Sequence, residues 1–225
     1  MKLAYGKYQI CLELRENEPV VFVLENPHVF AEFLQDFQNQ ISGMEESFVL
    51  SEGEKEYKLS KAVDYMMDPF SLDFNKKAIL NKLYAKMNVL GDEMVQEKAE
   101  VNASMLRILE IILEELPYQN VEYQYDFAWQ ELFKLYGVKI NCEYESLIEK
   151  LTEYIKISST LAGFGVLLLV NVKNYLTEEE LKELYQQAAY SKMKLLLVEG
   201  QEREKLEAEN VTIIDKDLFV IVKYS

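Results

Sequence analysis

The apolar positions of this chain follow two different periods, which divide it into three stretches. Near the amino terminus, "YQICLEL" alternates apolar and polar residues and "PVVFVLE" is a compact β-branched run, and both patterns are typical of strands. From Pro27, "PHVFAEFLQDFQNQI" repeats its apolar residues at helical spacing, and proline is favourable in the first turn of a helix. A strand and a helix therefore open the chain, and a hairpin around Glu52 and Gly53 and a short strand in "AVDYMMDP" are predicted to follow.

The middle stretch, residues 71 to about 160, has long helical patterns with Gly91, Pro117 and Gly137 as the breakers. The segment "NKKAILNKLYAKMNVL" predicts a first helix, and a second is predicted near residues 94–116. Five apolar residues of the second helix are predicted to be buried: Val101, Met105, Ile108, Leu109 and Ile112. The segments "DFAWQELFKLYG", closed by Gly137 as a C-cap, and "YESLIEKLTEYIKI" predict two more helices.

The carboxy-terminal stretch returns to alternating strands and helices. Thr177 and Glu180 form a capping box at the start of the predicted helix "TEEELKELYQQAAY". The runs "VLLLV" and "LLLV" lack alternation, as expected of parallel strands covered on both faces, and "NVTIIDKD" and "LFVIVKY" predict two further strands. We therefore predict an α/β domain with a mostly parallel sheet from residues 1–70 and 160–225, and an inserted α-helical domain of residues 71–159.

Charge sets the first helix of the insertion apart. The chain has 39 acidic and 24 basic residues, a formal charge of −15 at pH 7, yet residues 75–90 carry four lysines and no carboxylate. An acidic surface repels phosphate, so a polyanionic partner would need a separate basic surface. The candidate lysines, including two beyond this helix, are Lys76, Lys77, Lys82, Lys86, Lys134 and Lys139. The alternative is a solvated helix face whose aliphatic stems shield apolar neighbours.

Cysteine, histidine and hydropathy exclude several classes of function. Cys11 and Cys142 are the only cysteines and form no CxxC pair, so we expect two buried thiols. His28 is the only histidine, which excludes sites that need two imidazoles. No apolar run approaches the ~20 residues of a spanning helix, and the amino terminus lacks the apolar core of a signal peptide, so a cytoplasmic protein is expected.

The phosphate-binding loop of a nucleotide-hydrolysing α/β protein is missing. Gly6 and Lys7 are followed by Tyr8, where a serine or threonine is required, and no glycine lies five residues earlier. The GxG in "AGFGV" precedes a predicted strand instead of following one. NTP hydrolysis is therefore not expected. Glu25 and Glu199, at strand ends, could imitate a metal-binding carboxylate, but taken singly they are interpreted as solvated strand ends.

An acidic connection lies between two predicted helices of the insertion. The segment "ELPYQNVEYQYDFAWQE" contains Glu122, Asp126 and Glu131 together with loop carbonyls. Calcium accepts six to eight irregularly placed oxygen ligands, so this segment is a candidate calcium site. The alternative is an acidic turn in which Asp126 caps the following helix.

Five blocks of the sequence, taken together, carry a resemblance to a known family. In chain order they are "VVFVLENPHVFAEFLQDF", "DPFSLDFNKKAILNKLYAKM", "ELFKLYGVKINCEYESLIEKLTEYI", "GVLLLVNVKNYLTEEELKELYQQAAYSKMKLLLVEGQ" and "IIDKDLFVI". In order and spacing, the chain resembles the CRISPR-associated spacer-acquisition protein of subtype II-A systems. The likeness covers most of the chain, and "ELFKLYGVKI" and "VNVKNYLTEEEL" are its most specific blocks.

The resemblance implies a degenerate P-loop NTPase fold in which a helical leg is inserted into an α/β head. It implies a non-catalytic, ring-shaped homotetramer that threads the ends of linear double-stranded DNA, regardless of sequence, through a lysine-lined hole. It also implies calcium bound by acidic residues between leg and head. The implied role is spacer acquisition in antiviral defence, alongside the integrase proteins and the effector nuclease.

The resemblance also assigns residues. Three lysines fall at or nearest to the family's DNA-facing positions in the sequence: Lys82, Lys134 and Lys139. Three others belong to the basic helix but have no assigned counterpart in the family: Lys76, Lys77 and Lys86. In the family, a dense run of acidic residues precedes the block that matches "ELFKLYGVKI", and of this run Glu122 and Asp126 are the acidic residues assigned to calcium here. Several other positions of the run hold uncharged residues in this chain: Gln119, Asn120, Val121, Tyr123 and Tyr125.

Two other function classes stay open. The first is a cytoplasmic nucleotide-dependent enzyme with an unorthodox phosphate site, for which Glu199 would be an essential carboxylate. The second is a protein-only adaptor on the same degenerate fold. Its helical insertion would dock a partner through an apolar face, and its lysines would be incidental.

Overall fold

The computed structural model describes residues 1–118 and 120–223, so Gln119 and the end of the predicted strand "LFVIVKY" lie outside the described residues. The described residues form two compact units, one from residues 1–73 and 142–223 and one from Phe74–Asn141. The strands are β1 (Lys2–Tyr5), β2 (Ile10–Glu13), β3 (Val20–Leu24), β4 (Phe48–Glu52), β5 (Lys55–Tyr57), β6 (Val63–Met66), β7 (Val166–Val170), β8 (Lys194–Glu199), β9 (Asn210–Ile214) and β10 (Val220–Lys223).

The helices are distributed over both units. They are α1 (Pro27–Ile41), α2 (Leu59–Ala62), α3 (Lys77–Gly91), α4 (Val95–Glu114), α5 (Trp129–Leu135), α6 (Leu147–Ile157) and α7 (Glu178–Tyr190). In the described part of the chain, no helix is long and apolar enough to cross a membrane.

A six-stranded sheet forms the centre of the first unit, in the order β10-β9-β3-β8-β7-β6. Its strands are parallel except for β10, which pairs antiparallel with β9. Every residue of β3 and β7 is buried, as are all but the first residue of β8. The prediction of a mostly parallel sheet from apolar runs without alternation is confirmed, and it follows that β3, β7 and β8 end at the same edge of the sheet.

A second, antiparallel sheet in the order β2-β1-β4-β5 covers α1. Tyr5 of β1 stacks on Phe48 of β4 with 4.5 Å between ring centroids. Phe33 of α1 meets both rings edge-on, at 5.4 and 5.1 Å. All three side chains are at most 3 % exposed, so this aromatic cluster joins the sheet to the helix.

The second unit is closed by contacts between α3 and the chain around α5. The ring of Tyr84 lies 5.9 Å from that of Phe133, and its hydroxyl donates to the carbonyl oxygen of Val138 at 2.9 Å. Asn75 exchanges two hydrogen bonds with the backbone of Ile140, at 2.8 and 3.0 Å. The chain that follows α5 is thereby fixed beside the start of α3.

Helix α4 contradicts the predicted burial of its apolar residues. No residue of α4 is buried. Four of the five named residues are 38 to 56 % exposed: Val101 (44 %), Met105 (38 %), Ile108 (55 %) and Ile112 (56 %). Leu109 is partly buried. The prediction failed because the helical period identifies residues that share a face, but not whether anything covers that face.

Helix α6 belongs to the first unit, whereas the sequence analysis assigned it to the helical insertion. Leu151, Tyr154 and Ile155 are buried, and the Tyr154 hydroxyl donates to the buried carboxylate of Asp64 in β6. Helix α6 also packs against α7. Its helical period is the same as that of the preceding helices, and the period does not identify the packing partner.

The expectation that both cysteines are buried is wrong, because Cys11 and Cys142 are exposed. In β2, Ile10 and Leu12 are buried whereas Cys11 and Glu13 point to solvent. Strand alternation therefore decides the exposure of Cys11 more strongly than the usual preference of cysteine for the interior.

We predict that Gly91→Ala lowers the free energy of unfolding by about 1–3 kcal/mol. A Cβ atom at Gly91 would lie 2.7 and 2.8 Å from two ring carbons of Trp129, closer than such atoms can approach. This steric effect opposes the roughly 1 kcal/mol by which alanine normally favours a helix over glycine. Denaturant unfolding measures the difference.

Trp129→Leu provides the control background for this prediction. With the indole ring gone, the added methyl group has space, so Gly91→Ala should cost less in that background. An equal effect of the alanine with and without the indole would contradict the proposed clash.

Candidate functional site

The candidate lysines all lie in the second unit, residues 74–141. This unit contains eight of the 24 basic residues and ten of the 39 acidic residues, so its formal charge is −2 of the chain's −15. The remaining −13 belongs to the first unit. The unit with the lysines is therefore nearly neutral, and phosphate is repelled least there.

The lysines of α3 are available to solvent. Lys77, Lys82 and Lys86 are exposed, and the last two lie four residues apart, on neighbouring turns of one flank. Helix α3 contains no acidic residue. Within residues 1–118 and 120–223, neither Lys82 nor Lys86 forms an ion pair. Their ammonium groups are therefore not neutralised by a neighbouring carboxylate.

The structure brings one of the later lysines to the start of α3. Asn75 and Ile140 are hydrogen-bonded to each other, so the residues that follow and precede them, Lys76 and Lys139, lie on adjoining backbone segments. Lys139 is exposed and Lys76 is half-buried. Lys134 lies on the exposed side of α5 and makes no ion pair with the described residues.

The acidic connection is held by protein groups. The Asp126 carboxylate lies 2.8 Å from Nζ of Lys98 in α4, and this hydrogen-bonded ammonium lowers the pKa of Asp126. The Glu131 carboxylate accepts the N–H of Ala128 at 3.2 Å. Ala128 is the N-cap of α5, so the alternative that gave this role to Asp126 is wrong. Glu122 is exposed.

These carboxylates do not fit the calcium ion that the resemblance implies. Among residues 1–118 and 120–223, no group of three or more Asp, Glu, His or Cys side chains could hold a metal ion. Asp126 and Glu131 already have partners, which leaves Glu122. Calcium takes six to eight oxygen ligands, and this set falls well short of that number.

The start of α1, which follows β3, is closed to phosphate by the protein's own side chain. Asn26 Oδ1 accepts the backbone N–H groups of His28 and Val29, at 3.0 and 3.4 Å. Its Nδ2 donates to the carbonyl oxygen of Lys216 at 3.2 Å. Helix N-termini bind phosphate through free N–H groups, and those of α1 are already satisfied.

The Gly6-Lys7 pair also has a structural role. It lies in a 3₁₀ turn, Gly6–Tyr8, between the antiparallel strands β1 and β2. Nζ of Lys7 donates to Glu32 at 2.8 Å and to Asp36 at 2.9 Å, both on α1. The lysine therefore fastens a hairpin to a helix, away from the edge where parallel strands end.

Glu199, at the end of β8, is only 1 % exposed. One carboxylate oxygen accepts the backbone N–H of Lys173 at 3.1 Å, and the other has no hydrogen-bond partner in the described chain. Burial raises the pKa of Glu199 to about 7, against the opposing effect of that hydrogen bond and the charges of Lys173 and Arg203. The carboxyl group is therefore enclosed by protein, and a ligand could reach it only after a rearrangement.

A second buried glutamate, Glu209, directly precedes β9 and is fully paired. Nζ of Lys173 lies 2.9 Å from both carboxylate oxygens of Glu209, and the Tyr185 hydroxyl donates to Glu209 at 2.6 Å. The backbone N–H of Leu206 donates to the same carboxylate at 3.0 Å. Sequence patterns do not reveal this cluster, because its members are dispersed along the chain. The visible signal is Lys173 in "NVKNY", three residues after the end of the fully apolar strand β7.

Together, these features define a mixed α/β protein that lacks a phosphate-binding loop and carries a separate helical unit with exposed lysines. Residues 40–218 match the family model described as CRISPR-associated protein (Cas_Csn2). The chain therefore belongs to the Csn2 family of CRISPR-associated proteins, and the family identified by resemblance is confirmed.

Two relatives, both named CRISPR-associated protein Csn2, support this assignment. The protein from Enterococcus faecalis is 25 % identical over 162 residues, which cover 66 % of this chain and 72 % of the relative. The protein from Streptococcus agalactiae is 27 % identical over 168 residues, which cover 72 % of this chain and 73 % of the relative. At such identities most side chains differ, so the site has to be judged from the contacts in this chain.

We predict that the stability of the wild-type protein falls with rising pH because of Glu199. Below its ordinary pKa of 4.5, the carboxyl is protonated in both states. Between pH 4.5 and about 7 it ionises in the unfolded chain but stays protonated in the folded one, which favours unfolding. Above pH 7 the free energy of unfolding lost through Glu199 no longer changes with pH, and it amounts to about 3 kcal/mol at most.

Glu199→Gln tests this, because glutamine is similar in shape and cannot ionise. Denaturant unfolding gives the free energy of unfolding of both proteins at pH 5 and pH 7.5. From pH 5 to pH 7.5, the variant should become more stable relative to the wild type by about 1–3 kcal/mol. Glu207→Gln, at an exposed position, is the matched control and should show little change. A Glu199→Gln difference that is independent of pH would contradict the assignment.

Proposed function

We propose that this protein binds the ends of linear double-stranded DNA, regardless of sequence, during CRISPR spacer acquisition. It would act as a ring-shaped homotetramer with lysines lining the hole, alongside the integrase proteins and the effector nuclease. Membership of the Csn2 family supports the role in adaptation. The observation that carries the proposed DNA contact is a pair of exposed lysines, Lys82 and Lys86, which form no ion pair with the described residues and lie on a nearly neutral unit.

Electrostatics accounts for the proposed mode of binding. One subunit supplies only a modest positive surface, and a symmetric ring repeats that surface around a common hole. Contacts from lysine to phosphate ignore base identity and weaken steeply with salt. Free ends are favoured because a closed circle cannot be threaded. The acidic first unit would repel the duplex elsewhere and direct it toward the lysines.

An uncovered apolar stripe on α4 supports self-association. Its members are Met94, Val101, Met105, Ile108 and Ile112, spaced by seven, four, three and four residues. This is the spacing of a coiled-coil seam, in which apolar residues pack against a second helix. Each member is at least 38 % exposed, and soluble proteins rarely leave such a stripe uncovered. We propose that a second copy of the chain covers it.

The edge strand β10 offers a second surface for assembly. It lies at the end of the six-stranded sheet, and its apolar side chains are exposed on both faces. They include Phe219 (68 %), just before the strand, Val220 (49 %), Ile221 (43 %) and Val222 (46 %). A ring of four subunits with two-fold symmetry needs two separate interfaces per subunit, and α4 and β10 would supply one on each unit.

We further propose that the first unit is a degenerate P-loop NTPase head, that the second is its leg, and that the protein is not an enzyme. Strand β3 lies between β8 and β9, where the strand order reverses and such sheets usually bind their ligand. At this point Asn26 caps α1 and Glu199 is enclosed. Both observations argue against the alternative of a nucleotide-dependent enzyme.

Charge reversal on α3 tests DNA binding. We predict that Lys82→Glu/Lys86→Glu weakens binding of linear duplex by at least about tenfold and reduces its dependence on salt, since each subunit loses two phosphate contacts. Gel retention and a salt titration with equal lengths of linear and circular duplex measure the effect.

Lys61→Glu/Lys182→Glu is the matched control, because both lysines are exposed, belong to the first unit and form no ion pair with the described residues. It makes the same change in net charge and should bind nearly as the wild type does. Unchanged binding by the α3 variant would instead favour the protein-only adaptor.

A charge within the α4 stripe tests assembly. We predict that Ile108→Glu reduces the tetramer to smaller species at micromolar concentration, because a carboxylate cannot be buried between apolar helices without a partner. Light scattering coupled to size exclusion measures the mass. Ala103→Glu adds the same charge at an exposed position on another face of α4 and should leave the tetramer intact. A tetramer that survives Ile108→Glu would remove α4 from the interface.

A further inference from the structure

The connection between α4 and α5 runs back along α4 and is fastened to one face of it. Nζ of Lys98 contacts the Asp126 carboxylate at 2.8 Å. One turn further along α4, Asn102 Nδ2 donates to the carbonyl oxygen of Tyr125 at 2.7 Å. Residues four apart lie on the same side of a helix, so these two contacts act on the same stretch of the loop.

Lys98 holds this stretch through more than one contact. Its ammonium group lies 5.2 Å from the centre of the Phe127 ring, within the range of a cation–π interaction. Its side chain is only 25 % exposed, so the charge is partly removed from water. Further along the loop, the Tyr123 hydroxyl donates to Glu110 of α4 at 3.3 Å. Side chains of Lys98, Asn102 and Glu110 on α4 thus hold the loop at three points.

The charges on the loop match one ammonium group better than a divalent ion. Asn120, Val121, Tyr123 and Tyr125 carry no charge, and Glu122 is exposed. Asp126 is the carboxylate that meets α4, and Lys98 already neutralises it. A divalent cation placed there would lack ligands and would be repelled by an ammonium group a few ångströms away.

We infer that Asp126, which the resemblance assigns to a calcium site, is bound in this chain by the Lys98 ammonium instead, so that the loop of residues 120–127 is fastened to α4 without calcium. One positive charge, one carboxylate and an aromatic ring replace a metal and its cluster of acids. The inference concerns the attachment of the loop and does not depend on DNA binding.

Hydrogen exchange and thermal unfolding of the whole chain test the inference. Both are measured with calcium at about 10 mM, which fills even weak oxygen sites, and with excess chelator. The wild-type protein should show the same thermal midpoint and the same exchange at residues 120–127 in both conditions. Lys98→Met keeps the length of the side chain but loses its charge, and should speed exchange in this loop by about two- to fivefold in both conditions.

Two further variants distinguish loss of this contact from a general loss of stability. Asp126→Asn removes the other partner, and combining it with Lys98→Met should add little beyond the larger single effect. Lys182→Met makes the same substitution at an exposed lysine of α7 without an ion pair in the described chain, and should leave the loop unchanged.

Three outcomes would overturn the inference. The first is a calcium-dependent rise in the thermal midpoint of the wild type, or slower exchange in its loop with calcium. The second is wild-type exchange in Lys98→Met. The third is additivity of the effects of Lys98→Met and Asp126→Asn, which would show that the two residues act separately.

Discussion

Repulsion between like charges limits what this protein can bind, and the proposed function depends on how the chain avoids it. The first unit carries −13 of the formal charge of −15, whereas the helical unit carries −2 and contains every candidate lysine. At physiological salt, charges act over about 8 Å, so a polyanion senses the local surface more than the total charge. The helical unit is therefore the part of the chain where a polyanion is repelled least.

The two units differ in how completely they bury their own apolar surface. In the first, β3 and β7 are covered on both faces and an aromatic cluster joins α1 to the second sheet. In the second, α4 has twenty residues, of which none is buried. Much of the apolar surface of α4 thus remains available for association, and assembly would stabilise the helical unit more than the first.

Local patterns in the sequence were sufficient where neighbouring residues determine the structure. The apolar runs gave parallel strands, and the capping box formed as expected, with Thr177 and Glu180 bonded to each other's backbone N–H at 3.3 and 2.8 Å. Patterns failed where the outcome depends on distant residues. The spacing on α4 could not show that its stripe is uncovered, and nothing local links Lys98 to Asp126, 28 residues later.

The sheet edge where β3, β7 and β8 end explains why the candidate DNA-binding residues are sought on the helical unit and not at this edge. In related α/β sheets, that edge binds a ligand through free N–H groups and accessible side chains. Here Asn26 occupies the N–H groups of α1, Asn171 accepts the N–H of Gly200 at 2.9 Å, and Glu199 is enclosed. The polar groups that a phosphate would use are thus engaged within the protein. The proposed polyanion contact is therefore assigned to other groups, and the exposed ammonium groups of Lys82 and Lys86 on α3 have no ion pair within the described residues.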